Sequence, residues 1–488
     1  MKRRDLLRGL GAAGAATAAG RLLDPAAATG QSLPAASGRS ATASLAARLT
    51  ASIQEHKVPG ASAAVFRDGQ WEIAAAGITN VTTGVDVTPE TVMHIGSITK
   101  VLTATLVMQL VDEGRVDLAA PLRHYLPDFQ LADRNAAQRV TVGMLLNHTS
   151  GIDGEYFSDG GPDAQRIEDV IPRIARQGQI HAPGAESSYC NSGAVLAGYL
   201  AQRLLGKSWY TLVEERIFEP LGMQHSVVQP AEALLHRASV GHFLNADGTH
   251  TRTSVAFLNP ALAPAGTTAM LSAKDLATFA LAHINDGLAS NGHRLLSAAS
   301  ARRMQRQTTA WRGVTGGGFG LGWMTMDRGI VDHDGGGPGI ASWLVADPAA
   351  KTVAAILTNA AHGGAVAEEL TAPVYEAAGA KPVSAVYDEL EKQATDARVD
   401  PRAYVGRYES VTLALRVVPH EAGIALRVQG KVRFYDTDSL DESAPLPLRP
   451  IRDGHFTTGQ GFVTFLNPGA DGRMQHLGSR RRLHKRTA

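Results

Sequence analysis

Residues 97–114 read SITKVLTATLVMQLVDEG, and this run is apolar on nearly every side. Apolar positions all round a helix are typical of one buried in a core, whereas a surface helix keeps a polar face. Gly114 is suited to end the helix, because glycine readily adopts the left-handed conformation found at many helix C-termini. We therefore expect a buried helix of about 17 residues that begins at or beside Ser97.

Ser97 and Lys100 form a Ser-x-x-Lys pattern at the start of this helix. Residues three apart lie on the same helix face, so the Lys100 amine can approach the Ser97 hydroxyl. Serine is a poor nucleophile until a base takes its proton, and a lysine can do so when burial lowers its pKa. On its own, the pattern is more typical of a helix-capping serine beside an exposed lysine.

Tyr189-Cys190-Asn191 forms a second cluster, in an irregular loop that follows Pro183-Gly184. A phenol and an amide two residues apart can face one cleft, where the phenol relays a proton and the amide holds a substrate carbonyl or amide. A buried tyrosine in an ordinary turn is the simpler interpretation of this cluster.

The third cluster is DHDGGGPGI at residues 332–340, where a strand begins. Its glycines allow the strand to approach a ligand closely and leave backbone N–H groups free to face an oxyanion. A surface histidine, His333, before a glycine turn is the simpler interpretation. A phosphate-binding loop is excluded because no Gly-Lys-Ser/Thr follows. Each of the three clusters is a weak signal alone, but their occurrence together and in this order is a strong one.

Strand patterns lie at both ends of the main body of the chain. Residues 58–67 and 71–76 are expected to pair around the turn Asp68-Gly69. Further strands are expected at residues 319–323, 340–346 and 352–359. Because helical sequence separates the two groups, we expect one sheet closed by the two ends of the domain.

These motifs make the chain resemble the serine β-lactamase-related hydrolases: class C β-lactamases, D-Ala-D-Ala carboxypeptidases, D-aminopeptidases and family esterases. The resemblance covers residues 45–380 and includes HIGSITK (94–100), LLNHTSGI (145–152), PLGM (220–223), PAG (264–266), SAKDL (272–276) and FGLGW (319–323). It implies an α+β fold, with an antiparallel sheet flanked by helices and a helical subdomain beside the cleft.

The resemblance also implies catalytic roles for three residues. Ser97 would be the acylated nucleophile, and Lys100 would accept or orient its proton. Tyr189 would be the general base and acid that passes a proton to the leaving group and later activates water. Whether Lys100 or Tyr189 is the base stays open. The family needs no cofactor, and we expect none here.

Substrate-binding roles follow from the same resemblance. Asn191 would orient the acyl side chain of the substrate, and His333 would occupy the place of the lysine in the Lys-Thr-Gly motif of β-lactamases. Gly335 and Gly336 would lie on the strand beside the oxyanion, which the backbone N–H groups of Ser97 and Gly336 would bind.

Three positions depart from the pattern of β-lactamases. His333 replaces a cation that usually meets the substrate carboxylate, and Asp334 beside it adds negative charge, so an efficient β-lactamase is disfavoured. Cys190 stands where serine is more usual, and we expect it to fill a small buried space. His148 of the His-Thr-Ser-Gly segment is expected to be structural.

Composition excludes several other classes of protein. The chain has 488 residues, with 47 basic and 46 acidic side chains, so it lacks the basic excess of a nucleic-acid-coating protein. A single cysteine excludes an internal disulfide and Cys-ligated zinc. The sequence lacks the His-Glu-x-x-His pattern that would indicate a metalloprotease. It also lacks the Gly-x-Ser-x-Gly pattern that would indicate an α/β-hydrolase.

The two ends of the chain are expected to lie outside the hydrolase domain. Residues 1–28 resemble a twin-arginine signal peptide, with Arg3-Arg4 before a weak Ala/Gly-rich apolar stretch, and residues 29–44 read as a flexible leader. Residues 381–400 are expected to form a linker. Residues 401–488 alternate as short strands and resemble a lipocalin-like β-barrel, a likeness that Tyr404–Glu409 carries.

The sequence therefore predicts an exported, periplasmic or secreted serine hydrolase that cleaves an amide or ester bond. A peptidase or amidase acting on small or D-amino-acid-containing peptides is favoured, with a carboxylesterase next and a true β-lactamase last. A peptide- or peptidoglycan-binding protein is the alternative without catalysis. We expect small peptides or esters as partners, no nucleic acid, and no stable membrane insertion after signal removal.

Overall fold

The computed structural model describes residues 43–154, 165–313, 316–421, 423–432, 440–479 and 481–488. These form two compact units, which we call the larger unit (43–311 and 316–385 within those ranges) and the β unit (312–313 and 386–488 likewise). The predicted signal peptide, and the predicted leader up to residue 42, lie outside the described residues. In the part described, no helix is long and apolar enough to cross a membrane.

The described helices are, in chain order, α1 (Leu45–Glu55), α2 (Thr99–Asp112), α3 (Leu122–Tyr125), α4 (Arg134–Arg139), α5 (Val142–Leu146), α6 (Ile167–Ile174), α7 (Asn191–Leu205), α8 (Trp209–Val213), α9 (Glu219–Leu221), α10 (Ala273–Ile284), α11 (Ala298–Gln305), α12 (Gly364–Ala377) and α13 (Val383–Lys392). Short 3₁₀ turns include Gly96–Ile98, Pro230–Leu235 and Pro260–Ala265, and a π-helical turn spans Glu214–Phe218. The helices from α2 to α11 lie between the strands that close the main sheet.

The described strands of the larger unit are β1 (Gly60–Arg67), β2 (Gln70–Gly77), β3 (Met93–His94), β4 (Ser226–Val227), β5 (His242–Leu244), β6 (His250–Arg252), β7 (Met270–Leu271), β8 (Thr309–Ala310), β9 (Gly318–Phe319), β10 (Met324–Thr325), β11 (Val331–Gly337), β12 (Ile340–Asp347) and β13 (Thr352–Thr358). Within the described residues, the main sheet is antiparallel in the order β2-β1-β13-β12-β11-β10-β9-β8. Because β1 pairs with β13, the sheet is closed by the two ends of the domain, which confirms that expectation.

The β1–β2 hairpin forms where the sequence predicts it. Arg67 pairs with Gln70, and the two turn residues, Asp68 and Gly69, have φ of 52° and 75°. Two left-handed residues match the twist of the flanking strands, which explains why Asp-Gly is favoured there.

One strand prediction is wrong. Residues 319–323 do not form a single strand, because β9 ends at Phe319 and β10 begins at Met324, with a turn between them. Gly322 has a φ of +83°, and a Cβ added there would lie 2.5 Å from the Ala104 Cβ. The chain therefore turns where its backbone packs directly against α2.

Helix α2 is the buried helix that residues 97–114 predict. Eleven of its fourteen residues are buried, including Leu102 and Leu106, and it packs against α7 and the Pro260–Ala265 turn. The α-helix begins at Thr99, after the 3₁₀ turn Gly96–Ile98, and Gly114 follows it with a φ of +70°. Ser97 thus lies just before a rigid, fully packed element.

The β unit contains the strands β14 (Gly406–Glu409), β15 (Leu413–His420), β16 (Gly423–Gly430), β17 (Leu446–Pro447), β18 (Arg449–Arg452), β19 (His455–Thr457), β20 (Phe462–Pro468), β21 (Met474–Ser479) and β22 (Arg482–Arg486). In the part described, their order is β17-β16-β15-β14-β22-β21-β20-β19-β18. The two outer strands, β17 and β18, follow one another along the chain, so the antiparallel sheet is nearly closed. The expectation of a small C-terminal β-barrel is confirmed.

Candidate active site

Close backbone packing holds the turn that carries Ser97. Gly96 has a φ of +52°, and a Cβ added there would lie 2.7 Å from the Gly336 carbonyl oxygen and 2.8 Å from the Gly336 nitrogen. A Cβ on Gly335 would lie 2.0 Å from the Ile95 carbonyl oxygen. Glycines are required where two backbones approach so closely, and the Ser97 turn therefore lies directly against strand β11.

Lys100 lies one turn into the same segment, with its amine beside the serine. Its Nζ is 3.0 Å from Ser97 Oγ and 2.6 Å from the Ala265 carbonyl oxygen, to which it donates. The Lys100 side chain is 3% exposed, while Ser97 is half-buried. The simpler interpretation of Ser-x-x-Lys, with an exposed lysine, is therefore wrong: the structure brings the pair together.

Tyr189 lies beside the Lys100 amine. The Lys100 Nζ is 4.9 Å from the centroid of the Tyr189 ring, and the tyrosine is largely buried. The ring of His148 stacks on that of Tyr189, with centroids 4.4 Å apart and planes 28° apart. Phe319 contacts His148 edge-on, with centroids 4.6 Å apart. The third predicted catalytic side chain thus lies in an aromatic cluster next to Lys100.

Asn191 is the first residue of α7, and Cys190 caps that helix. The Gly193 N–H donates to Cys190 Sγ over 3.2 Å, and Cys190 is buried. Asn191 is 0% exposed, and within the described residues neither polar atom of its amide has a hydrogen-bond partner. Leaving a buried amide unsatisfied costs about 1–3 kcal/mol, so such a group in a native protein is a candidate for ligand binding.

His333 lies on β11 and is fully buried, so it is not the surface histidine of the simpler interpretation. Its Nδ1 is 2.7 Å from the Asp334 carbonyl oxygen, which can only accept, so this nitrogen carries the proton. The centroid of its ring is 6.3 Å from that of Tyr189. Asp334 is half-buried.

Gly335 and Gly336 differ in their surroundings although they are adjacent. Gly335 is buried against Ile95, whereas Gly336 is exposed and a Cβ added to it would have no neighbour within 4 Å. Because Gly96 lies against the Gly336 nitrogen, the backbone N–H groups of Ser97 and Gly336 belong to neighbouring segments. That is the arrangement a two-donor oxyanion hole requires.

Sequence reasoning missed two groups near the lysine and the helix that carries it. Ala265 accepts a hydrogen bond from Lys100 with its backbone carbonyl. The type of side chain at residue 265 therefore gives no signal of this contact beyond the PAG segment itself. Behind α2, Trp323 Nε1–H donates to His283 Nδ1 over 3.3 Å, and His283 Nε2 lies 3.0 Å from Thr105 Oγ1. Burial lowers the pKa of His283 to about 3 and that of His94 to about 4, so both rings stay neutral.

Comparison with known proteins places this chain in a family. A family model described as Beta-lactamase matches residues 34–378. Penicillin-binding protein 4 of Amycolatopsis lactamdurans is 39% identical over 314 residues, which are 62% of this chain and 82% of that protein.

Solved structures extend the likeness. The crystal structure of SurE superposes with a TM-score of 0.72 at 28% identity, covering 91% of this chain and 98% of SurE, and a SurE structure with D-Leu gives 0.70 at 27%. The D-amino acid amidase of Ochrobactrum anthropi SV3, in complex with L-phenylalanine amide, shares the fold with a TM-score of 0.57 at 23% identity, covering 68% of this chain and 98% of that one. The chain belongs to the Beta-lactamase family, the serine hydrolases that include the penicillin-binding proteins.

Proposed function

We propose that this protein is a serine amidase or peptidase that forms an acyl-enzyme on Ser97 and acts on small substrates containing a D-amino acid. One observation carries the proposal: the buried Lys100 amine lies 3.0 Å from Ser97 Oγ and is held there by the Ala265 carbonyl. A buried amine fixed beside a hydroxyl is arranged for proton transfer.

The proposed reaction has two halves. In the first, Lys100 in its neutral form takes the Ser97 proton while Oγ attacks the substrate carbonyl carbon, and the N–H groups of Ser97 and Gly336 bind the resulting oxyanion. The bond from carbon to the leaving group then breaks as Tyr189 gives its proton to the leaving amine, and Lys100 returns a proton to Tyr189. In the second, water passes a proton through Tyr189 to Lys100 and attacks the acyl carbon. The bond from that carbon to Oγ then breaks as Lys100 returns the proton to Ser97 Oγ.

The substrate class is inferred from the charges of the site. His333 stands where β-lactamases carry a lysine, its Nδ1 proton is bound to the Asp334 carbonyl, and the Asp334 carboxylate is adjacent. This arrangement disfavours a substrate whose carboxylate must be met by a fixed cation. The SurE structure with D-Leu and the D-amino acid amidase support a substrate with a D-residue.

We further propose that the protein is exported. The twin arginines and the Ala/Gly-rich stretch of residues 1–28 support this proposal. Mass spectrometry of protein secreted by a host with an intact twin-arginine pathway would test it. The expected result is a mature N-terminus near residue 28, and full-length protein confined to the cytoplasm would contradict export.

The activity is tested by comparing matched D- and L-leucine p-nitroanilides with the wild type and with Ser97→Ala. We expect the wild type to release p-nitroaniline from the D-substrate at least about tenfold faster than from the L-substrate, and Ser97→Ala to release none. The variant should fold, because the Ser97 side chain caps no helix. Equal rates for mutant and wild type would refute the assignment, and cleavage of an ester or a β-lactam with no cleavage of either anilide would favour an esterase or a β-lactamase instead.

A further inference from the structure

His148 contacts both neighbours of Tyr189 as well as the ring of Tyr189 itself. Its carbonyl accepts a hydrogen bond from the Ser188 N–H over 2.9 Å, and its Nδ1 accepts one from the Cys190 N–H over 3.0 Å. Its ring stacks on the Tyr189 ring between these two anchors. One residue therefore fixes the backbone on each side of Tyr189 and the plane of its ring.

The contacts of His148 also define which ring nitrogen carries its proton. A backbone N–H can only donate, so the Nδ1 that receives the Cys190 N–H carries no proton, and the neutral ring carries its proton on Nε2. In a doubly protonated ring, Nδ1–H would face the Cys190 N–H, and the hydrogen bond between them would be lost. The hold on Tyr189 thus requires the neutral ring.

The backbone of His148 is itself constrained. Its φ is +60°, a left-handed conformation that is uncommon outside glycine, although asparagine, aspartate and histidine adopt it more often than other residues. His148 is also 3% exposed, so its ring is enclosed by protein. Strained residues persist where the surrounding structure holds them, and they concentrate at functional sites.

We propose that His148 is a positioning residue for the proposed reaction: it holds the Tyr189 ring in register with the Lys100 amine, so that the phenol can deliver its proton to the leaving group. This role rests on the proposed function. A displacement of about 1 Å in a group that transfers a proton can cost about 100-fold in rate, so the hold on Tyr189 should be visible in kinetics.

Two substitutions separate the contacts of His148. His148→Asn keeps an acceptor oxygen near the place of Nδ1 and suits the left-handed backbone, but removes the stacked ring. His148→Phe keeps a ring and leaves the Cys190 N–H without its acceptor. If His148→Phe does not fold, His148→Ala removes the acceptor in its place. Leu212→Ala, a buried residue of α8, is the control for lost stability alone.

The readout is kcat/KM for D-leucine p-nitroanilide against D-leucine p-nitrophenyl ester, per site titrated with a fluorophosphonate. The anilide nitrogen must be protonated to leave, whereas p-nitrophenolate leaves without a proton. Tyr189→Phe and His148→Phe should therefore both lose about 100-fold or more on the anilide and about tenfold or less on the ester. His148→Asn should stay within about tenfold of wild type on both, and Leu212→Ala should leave the ratio of the two rates unchanged.

The outcomes separate the two claims. A wild type that cleaves the anilide, with a selective loss in Tyr189→Phe but an equal loss on both probes in His148→Phe, would overturn the positioning role alone. A His148→Phe variant as active as wild type would do the same. A wild type that cleaves neither probe would contradict the proposed function, and the positioning role would fall with it.

Discussion

At the scale of single residues, the site depends on where one amine is held. The Lys100 Nζ has two fixed oxygen neighbours, Ser97 Oγ and the Ala265 carbonyl, inside a packed core. Two short contacts from one nitrogen leave the amine little freedom, so it is held beside the serine hydroxyl. Preorganised geometry of this kind lowers the entropy cost of proton transfer.

Replacing this amine with an apolar chain of similar length gives a direct prediction. Lys100→Met should fold but react with a fluorophosphonate about 1,000-fold more slowly, since the base beside Ser97 is gone. Lys274→Met is the control, because Lys274 is a partly buried lysine outside the site whose Nζ lies 3.1 Å from the centroid of Trp71. Stopped-flow labelling measures both rates. A Lys100→Met rate within tenfold of wild type, or an equal loss in Lys274→Met, would exclude Lys100 as the base.

Residue types predicted part of the site and could not predict the rest. The motifs named Ser97, Lys100 and Tyr189, and the structure brings their side chains together, while their roles stay predictions. The Ala265 carbonyl was not predictable as a partner of Lys100, because every residue has a carbonyl and the fold alone decides where it points. The His148 ring was likewise not predictable as an acceptor, because its donor is a backbone N–H, a group that nearly every residue has.

At the scale of elements, strand β11 forms one wall of the site through two adjacent glycines. A Cβ on Gly335 would lie 2.0 Å from a backbone oxygen, whereas one on Gly336 would meet nothing within 4 Å. Only the first glycine is therefore required by packing.

This difference predicts unequal effects of the same substitution. Gly335→Ala should lower the unfolding free energy by about 1–3 kcal/mol and displace the Ser97 turn, as overpacking does. Gly336→Ala should leave the unfolding free energy within about 0.5 kcal/mol of wild type. Urea denaturation measures both variants. Equal stabilities for the two would show that β11 does not pack against the Ser97 turn as described.

Element boundaries were predictable where local pattern and packing agreed. The β1–β2 hairpin follows from its Asp68-Gly69 turn, and α2 follows from its apolar faces. Residues 319–323 misled because a run with Phe319 and Trp323 at its ends has strand composition, whereas contact between Gly322 and α2 imposes a turn. Such a contact joins segments far apart in sequence, so no local pattern reports it.

At the scale of the whole molecule, each unit has its own apolar core. The core of the β unit is built from its own strands and includes Tyr408, Leu426, Phe456 and Leu477. The likeness to SurE covers 91% of the chain and so extends beyond the residues that the family model matches. The β unit is thus part of an architecture that other solved proteins share.

The neighbouring carboxyl groups of Glu214 and Glu232, in the larger unit, should make the free energy of unfolding depend on pH. Burial, and then the nearby Glu232 carboxylate, raise the pKa of Glu214 from its ordinary 4.5 to about 7. The pKa of Glu214 is therefore higher in the folded protein than in the unfolded chain. The contribution of its protonated carboxyl to folding stability is present below about pH 4.5 and is lost as the pH rises through about 7.

Glu214→Gln, which cannot ionise, should therefore be more stable than wild type at about pH 8 and equally stable at about pH 4.5. Glu215→Gln, whose carboxylate pairs with Lys207 at the surface, is the control and should show no such gain. Thermal unfolding at the two pH values measures the difference. The same midpoint for Glu214→Gln and wild type at the higher pH would contradict the raised pKa.

The central claim, that Ser97 is an activated nucleophile, is tested most directly by one mass measurement. Wild type and Ser97→Ala are incubated with a fluorophosphonate, weighed intact and mapped by peptide. We predict a single adduct on Ser97 of the wild type and none on the variant. An adduct on another residue, or no adduct on folded wild type, would contradict the account.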